Sequence, residues 1–194
     1  MGFPMPTLSL LDIFALLPEH TLLKKSNTSA VYEHITLDSR RATSSSIFVA
    51  LCGIQVDARR FIENCDAPCV LVDQWSDAWT EKAREWHKTI IKVSNARRDM
   101  AILASAFTDY PSQKMKMIGI TGTNGKTTTT WMLSHILQQC GRLQKSPFKI
   151  GTIGTIGPHI DGKPLPNPEG FTTPESPGLQ RTLQQFVNNG CGVC

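Results

Sequence analysis

Between residues 47 and 107 the chain alternates short apolar runs with segments in which apolar positions recur every three or four residues. Ile47–Leu51, Val70–Val72 and Thr89–Val93 read as strands; after the last, Met100, Leu103, Ala104 and Phe107 share one face of a helix that ends before Pro111. Strands alternating with helices define an α/β unit. Upstream, the apolar run Leu8 to Leu17, interrupted by Asp12 and stopped by Pro18, reads as a short amphipathic helix. The polar stretch Tyr110–Lys114 punctuates the chain, so we divide it into domains 1–113 and 114–194.

The second half repeats the alternation. Met115–Ile120 reads as a buried strand feeding a helix, with Leu133, Ile136, Leu137 and Cys140 facing inward and Gly141 as its C-terminal cap. Phe148–Thr155 is the next strand, followed by a Pro/Gly-rich loop to Pro174. A helix from about Pro177 then carries Leu179, Leu183, Phe186 and Val187 inward, with Ser176 as N-cap and Gly190 as C-cap. Cys191 opens one more strand. A parallel sheet of this kind normally continues into a strand whose acidic residue completes a Mg²⁺ site. No Asp or Glu follows Cys191, so the second domain reads as stopping in mid-strand.

Composition narrows the class. The 194 residues carry a net charge of only +4, interspersed and without a basic run, which disfavours nucleic acid as a partner. No Lys or Arg precedes Leu8–Leu17, so that segment is neither a signal peptide nor a membrane span. The 6 cysteines then favour reduced thiols in a cytoplasmic compartment. Cys191-Gly-Val-Cys194 has redox or zinc spacing, with Cys65 and Cys69 as conceivable partners, but small buried thiols explain it better.

The chemistry sits between strand and helix, in Gly119-Ile-Thr-Gly-Thr-Asn-Gly-Lys-Thr-Thr128. Gly122 and Gly125 let the backbone turn with its N–H groups inward, and the following helix contributes partial positive charge at its N-terminus. An anion is the natural occupant. Lys126 would reach the β- and γ-phosphates of a nucleotide and the Thr127 hydroxyl would ligate Mg²⁺. Ile120 stands where the strict phosphate-loop pattern requires glycine. The alternative is a Gly/Thr-rich turn with no ligand.

The words Gly122-Thr-Asn-Gly-Lys-Thr-Thr128, preceded by Ile118-Gly-Ile-Thr121, resemble the ATP site of the Mur ligases, which build the peptidoglycan stem peptide. That family's loop lacks the first glycine. Thr36-Leu-Asp-Ser-Arg40, Phe48-Val-Ala-Leu51 with Gly53, Phe61-Ile62, Gly151-Thr-Ile-Gly154 and Phe171-Thr-Thr-Pro174 are similar to further motifs of its MurE type, which adds the third residue of that peptide. The resemblance implies an N-terminal α/β domain binding uridine diphosphate, then the start of a P-loop ATPase domain with a parallel sheet. It implies that Leu37, Ser39, Ile54, Gln55 and Val56 meet the uridine diphosphate end of the substrate, and Asn124, Thr172 and Thr173 its muramoyl-peptide end. Gly122, Thr123, Asn124, Gly125, Lys126, Thr127 and Thr128 would hold ATP, with Lys126 catalytic and Thr127 on Mg²⁺. Phosphoryl transfer to the substrate carboxylate, then attack by an amino-acid amine, would complete an amide ligation. The expected partners are these small molecules, with no nucleic acid and no membrane insertion, and the expected state is a monomer.

Asp57-Ala58 stands where the family has Asp-Gly, which predicts a loop less able to adopt a left-handed turn. The Glu-Val-Ser-Ser-His motif, the modified lysine and the third domain of the family do not occur within these 194 residues, so the polypeptide alone is not expected to complete the reaction. Three alternatives stay open: a UDP-sugar-binding module without turnover, a P-loop NTPase switch, and a folate-type ligase. Taken singly, Asp38-Ser39-Arg40 could be a polar turn and Thr172-Thr173-Pro174 a plain loop.

Overall fold

A computed structural model describes residues 6–17, 19–26, 30–53, 56–143, 148–166 and 174–194. The chain folds as two compact units, one reaching to Phe107 and one comprising Thr108–Cys194.

In the first unit β1 (Leu8–Ser9) leads into α1 (Leu10–Leu16), then β2 (His20–Lys24), β3 (Val31–Tyr32), β4 (His34–Thr36), β5 (Ser46–Val49), β6 (Cys69–Val72), α2 (Asp77–Ala83), β7 (Thr89–Val93) and α3 (Ala96–Phe107). β4, β5, β6 and β7 are parallel neighbours in that order, with β2 antiparallel on the β7 edge. The strands are buried on both faces because side chains alternate between two cores. Ile47, Val49, Leu71 and Ile91 face α1 and α3, where Ile13, Leu17, Met100, Leu103 and Phe107 close the first core. Phe48, Val70, Val72 and Ile90 face the second, sealed by Ile62 and Trp86. The strand and helix expectations for residues 47–107 hold here, and the early amphipathic segment is α1. Asp12 lies in its first turn. It completes a capping box in which its backbone N–H donates to Ser9 Oγ and its carboxylate accepts from the Ser9 N–H at 2.8 Å.

The second unit contains α4 (Lys126–Leu143), β8 (Lys149–Thr152), β9 (His159–Ile160), β10 (Lys163–Pro164), α5 (Ser176–Asn188) and β11 (Cys191–Val193). The sheet runs β10-β9-β8-β11, with β8 and β11 parallel and the β9–β10 hairpin antiparallel. The segment before the phosphate loop aligns parallel to β11: Lys116 N–H donates to Gly192 O at 2.9 Å and Ile118 N–H to Cys194 O at 2.8 Å.

Four expectations need correction. Met115–Ile120 is not a buried strand, since among the described residues it pairs on one edge only and leaves Met117 and Ile118 47% and 45% exposed. Gly141 does not cap α4; it lies inside the helix and is buried, and good helix formers carry the helix on to Leu143. On α4, Leu133 and Leu137 are half-buried and line the space against the sheet as expected, together with Thr130 and Ser134, whereas Ile136 and Cys140 are exposed. At α5, Glu175 occupies the N-cap, Ser176 is the first helical residue and Asn189 is the C-cap, while Gly190 follows in the left-handed conformation at φ 80°. Leu183 and Phe186 are buried as expected.

Candidate functional site

The phosphate loop is built by two glycines in conformations that side chains resist. Gly122 has φ 150° and Gly125 φ 76°. The first N–H of α4 to find a backbone carbonyl is that of Thr129, on Gly125 O at 2.8 Å. The N–H groups of Lys126, Thr127 and Thr128 have no acceptor among the described residues, as expected of a helix start. Lys126 Nζ folds back to donate to Gly122 O at 2.5 Å and Thr123 O at 3.2 Å, which places its ammonium inside the curve of the loop. Gly122 through Thr129 are all exposed. Thr128, Thr129 and Thr130 lie in the first turns of α4, and Thr130 Oγ1 donates to Lys126 O rather than facing a ligand.

Beside Lys126 and Thr127 opens a cleft of about 370 Å³ whose other wall is Thr152–Gly157 and Trp131. The strand expected over Phe148–Thr155 ends at Thr152, and Gly157 N–H then donates to Gly154 O at 2.9 Å, which turns this segment toward the loop. Trp131 is fixed edge-on against His159 with ring centroids 5.2 Å apart. An N–H cradle, one ammonium and an adjoining cleft suit a polyphosphate. The Thr127 hydroxyl lines the same cleft and suits a hard cation, but no carboxylate joins it there among the described residues.

In the first unit, Leu37 and Ser39 follow β4, while Gly53 and Val56 follow β5, its neighbour in the sheet. Their strand ends are therefore adjacent, on the carboxyl side where parallel sheets bind ligands. Leu37 is half-buried against the first core, Ser39 opens a 3₁₀ turn over Ser39–Arg41, and Val56 is exposed. Ile54, Gln55, Thr172 and Thr173 lie outside the described residues. Asp38 caps the turn and is gripped by Arg40, whose hydrogen bond holds the carboxyl below its ordinary range.

Asp57-Ala58 needs no left-handed turn. Asp57 has φ −86° and caps a 3₁₀ turn over Ala58–Phe61, so alanine fits without strain. Sequence reasoning missed the role of Arg59, which holds Asp57 through Nε at 2.8 Å and Nη2 at 2.7 Å. The signal was readable, because Asp38-Ser-Arg40 and Asp57-Ala-Arg59 share one spacing. Among the described residues no group of three or more His, Cys, Asp or Glu could hold a metal, and all 6 cysteines are free thiols. No described helix is long and apolar enough to cross a membrane.

Residues 120–194 match the family profile of the Mur ligase middle domain. The chain belongs to the Mur ligase family. It is 34% identical over 176 residues to the UDP-N-acetylmuramoyl-L-alanyl-D-glutamate–2,6-diaminopimelate ligase of Clostridium tetani, covering 91% of this chain and 34% of that protein. The ligase of the same name from Geobacillus thermodenitrificans is 40% identical over 157 residues, 80% of this chain and 29% of that one. A solved structure of such a ligase superposes with a TM-score of 0.64 at 24% identity, over 97% of this chain and 35% of its own, which supports the fold alone. The chain thus spans about a third of the length of the curated relatives it matches.

Proposed function

We propose that this chain serves ATP-dependent amide ligation in cytoplasmic peptidoglycan synthesis, adding an amino acid to UDP-N-acetylmuramoyl-L-alanyl-D-glutamate. The observation that carries the reading is the phosphate loop, with two glycines at positive φ, free N–H groups at the start of α4 and Lys126 inside the curve. Gly122 to Thr128 hold the ATP phosphates, Lys126 releases its loop carbonyls to meet the β- and γ-oxygens, and Thr127 offers its hydroxyl to Mg²⁺. Bound ATP supplies the phosphoryl group that activates the substrate carboxylate, and Mg²⁺ neutralises charge on the phosphates. Asn124, Thr172 and Thr173 take the muramoyl-peptide end; Leu37, Ser39, Ile54, Gln55 and Val56 take the uridine diphosphate end.

Titration of a fluorescent ATP analogue into the 194-residue chain, with and without Mg²⁺, tests the loop. Lys126→Ala is expected to weaken binding about 10- to 100-fold, the worth of one charge-assisted hydrogen bond. Unchanged nucleotide affinity in Lys126→Ala sinks the ATP reading.

A further inference from the structure

The spacing Asp-x-Arg occurs twice at carboxyl ends of the first unit's sheet, after β4 and in the loop after β5. In both, one carboxylate oxygen accepts from the arginine's backbone N–H, at 3.1 Å for Asp38 and 3.0 Å for Asp57. The same guanidinium then grips both oxygens, through Nε and Nη2. Beyond that the two arginines differ. The Arg40 side chain is 87% exposed, the Arg59 side chain only 15%.

What covers Arg59 comes from three separate pieces of chain. Its Nη1 donates to Gln74 O, just after β6, at 3.2 Å. Its Nη2 lies 3.7 Å from Cys52 Sγ, and its guanidinium sits 5.4 Å above the Trp79 ring of α2. Trp79 is itself packed with Trp75 and Trp86. Cys52 and Asp57 pair across the base of the loop that Gly53 and Val56 close, where Gly53 N–H donates to Val56 O at 3.0 Å and Ala58 N–H to Leu51 O at 3.1 Å. One planar fork therefore ties both ends of this loop to β6 and α2.

We propose that Arg59 is a positioning residue that fixes the two ends of this loop, at Cys52–Gly53 and Val56–Asp57, beside the end of β4, so that these ends meet the diphosphate-sugar ligand in a set arrangement. The inference rests on the uridine-site reading above. A lysine does not substitute, because a single ammonium cannot hold both carboxylate oxygens, donate to a carbonyl and stack on an indole together. Without the fork, ligand binding must also order the loop, and affinity falls.

The test combines amide hydrogen exchange with calorimetry on the 194-residue chain, using UDP-N-acetylmuramoyl-L-alanyl-D-glutamate as probe. In Arg59→Ala and Arg59→Lys the Gly53 and Ala58 amides are expected to exchange about tenfold faster or more, with Leu71 and Ile91 unchanged, and affinity to fall about fivefold or more. Ala58→Gly keeps the clamp and is expected to leave the affinity unchanged. Should Arg59→Ala fail to fold, Arg59→Lys and Arg59→Gln carry the same readouts. Wild-type exchange at Gly53 and Ala58 in these variants overturns the clamp; a loosened loop with wild-type affinity overturns the positioning role. If the wild-type chain itself takes up no UDP-sugar, the uridine-site reading is what fails, and the exchange data still decide whether Arg59 holds the loop.

Discussion

The cysteines separate by environment. Cys69 is fully buried, and desolvation pushes its thiol up to about 12; Cys191 is raised by burial to about 11, with the Asp161 carboxylate adding to the shift. A raised thiol stays protonated at neutral pH, and the thiolate is the nucleophile, so both residues are inert while folded. Cys65 is buried as well, its Sγ donating to Ile62 O at 3.3 Å, and Lys88 donates to its carbonyl from within the same core. Cys52 and Cys140 are exposed. A maleimide pulse at pH 8 read by mass spectrometry is expected to label Cys52 and Cys140 first, with Cys65, Cys69 and Cys191 following only in denaturant. Equal rates at all six would contradict the burial. Cys191 is a buried thiol as expected, whereas Cys194 is only half-buried.

At the scale of elements, glycine marks the tightest approach. Gly151 of β8 lies directly against the Phe186 ring of α5, where an added methyl would fall within the ring's van der Waals envelope. Phe186 is fully buried and cannot swing aside without opening the core. Gly151→Ala is expected to destabilise the second unit by about 1–3 kcal/mol, measured by urea unfolding, as overpacked cores do. No shift in the midpoint would mean that α5 adjusts freely. Such close packing is invisible in the sequence, where Gly151-Thr-Ile-Gly154 reads as part of the strand Phe148–Thr155. What was legible followed strong local signals: the β-branched runs of β5 to β7, the 3.6-residue period of α3, and Gly-Lys-Thr at a helix start. α4 was half misread: Leu133 and Leu137 do face the sheet, with Thr130 and Ser134 beside them, whereas Ile136 and Cys140 of the same apolar stripe are exposed. Periodicity gives a helix a face, but only tertiary contact decides which face is used. The β9–β10 hairpin lay inside a segment read as loop, although Asp161-Gly162, at φ 49° and 80°, is a strong two-residue hairpin signal. Its strands, two residues each, were too short to show alternation.

Across the whole molecule the apolar burial is uneven. Two large clusters line the sheet of the first unit, while the second has one small cluster around Met115, Ile160, Leu183, Phe186 and Cys191. The second unit also has a half-open, mainly apolar pocket of about 250 Å³ between α4 and its sheet, lined by Leu133, Leu137, Ile150 and Val193. With the smaller buried apolar cluster, this unit is expected to be the weaker of the two. The tryptophans report on each separately, because Trp75, Trp79 and Trp86 belong to the first unit and Trp131 to the second. Urea unfolding followed by fluorescence is expected in two phases, the earlier one carried by Trp131 and silenced in Trp131→Phe. On the proposed reading, ATP with Mg²⁺ is expected to bind only the folded loop and to stabilise that phase by mass action, by about 2.7 kcal/mol at a hundred times Kd. The later phase should not move with ATP but should move with the UDP-sugar. A single transition that both ligands shift equally would show that the two units unfold as one.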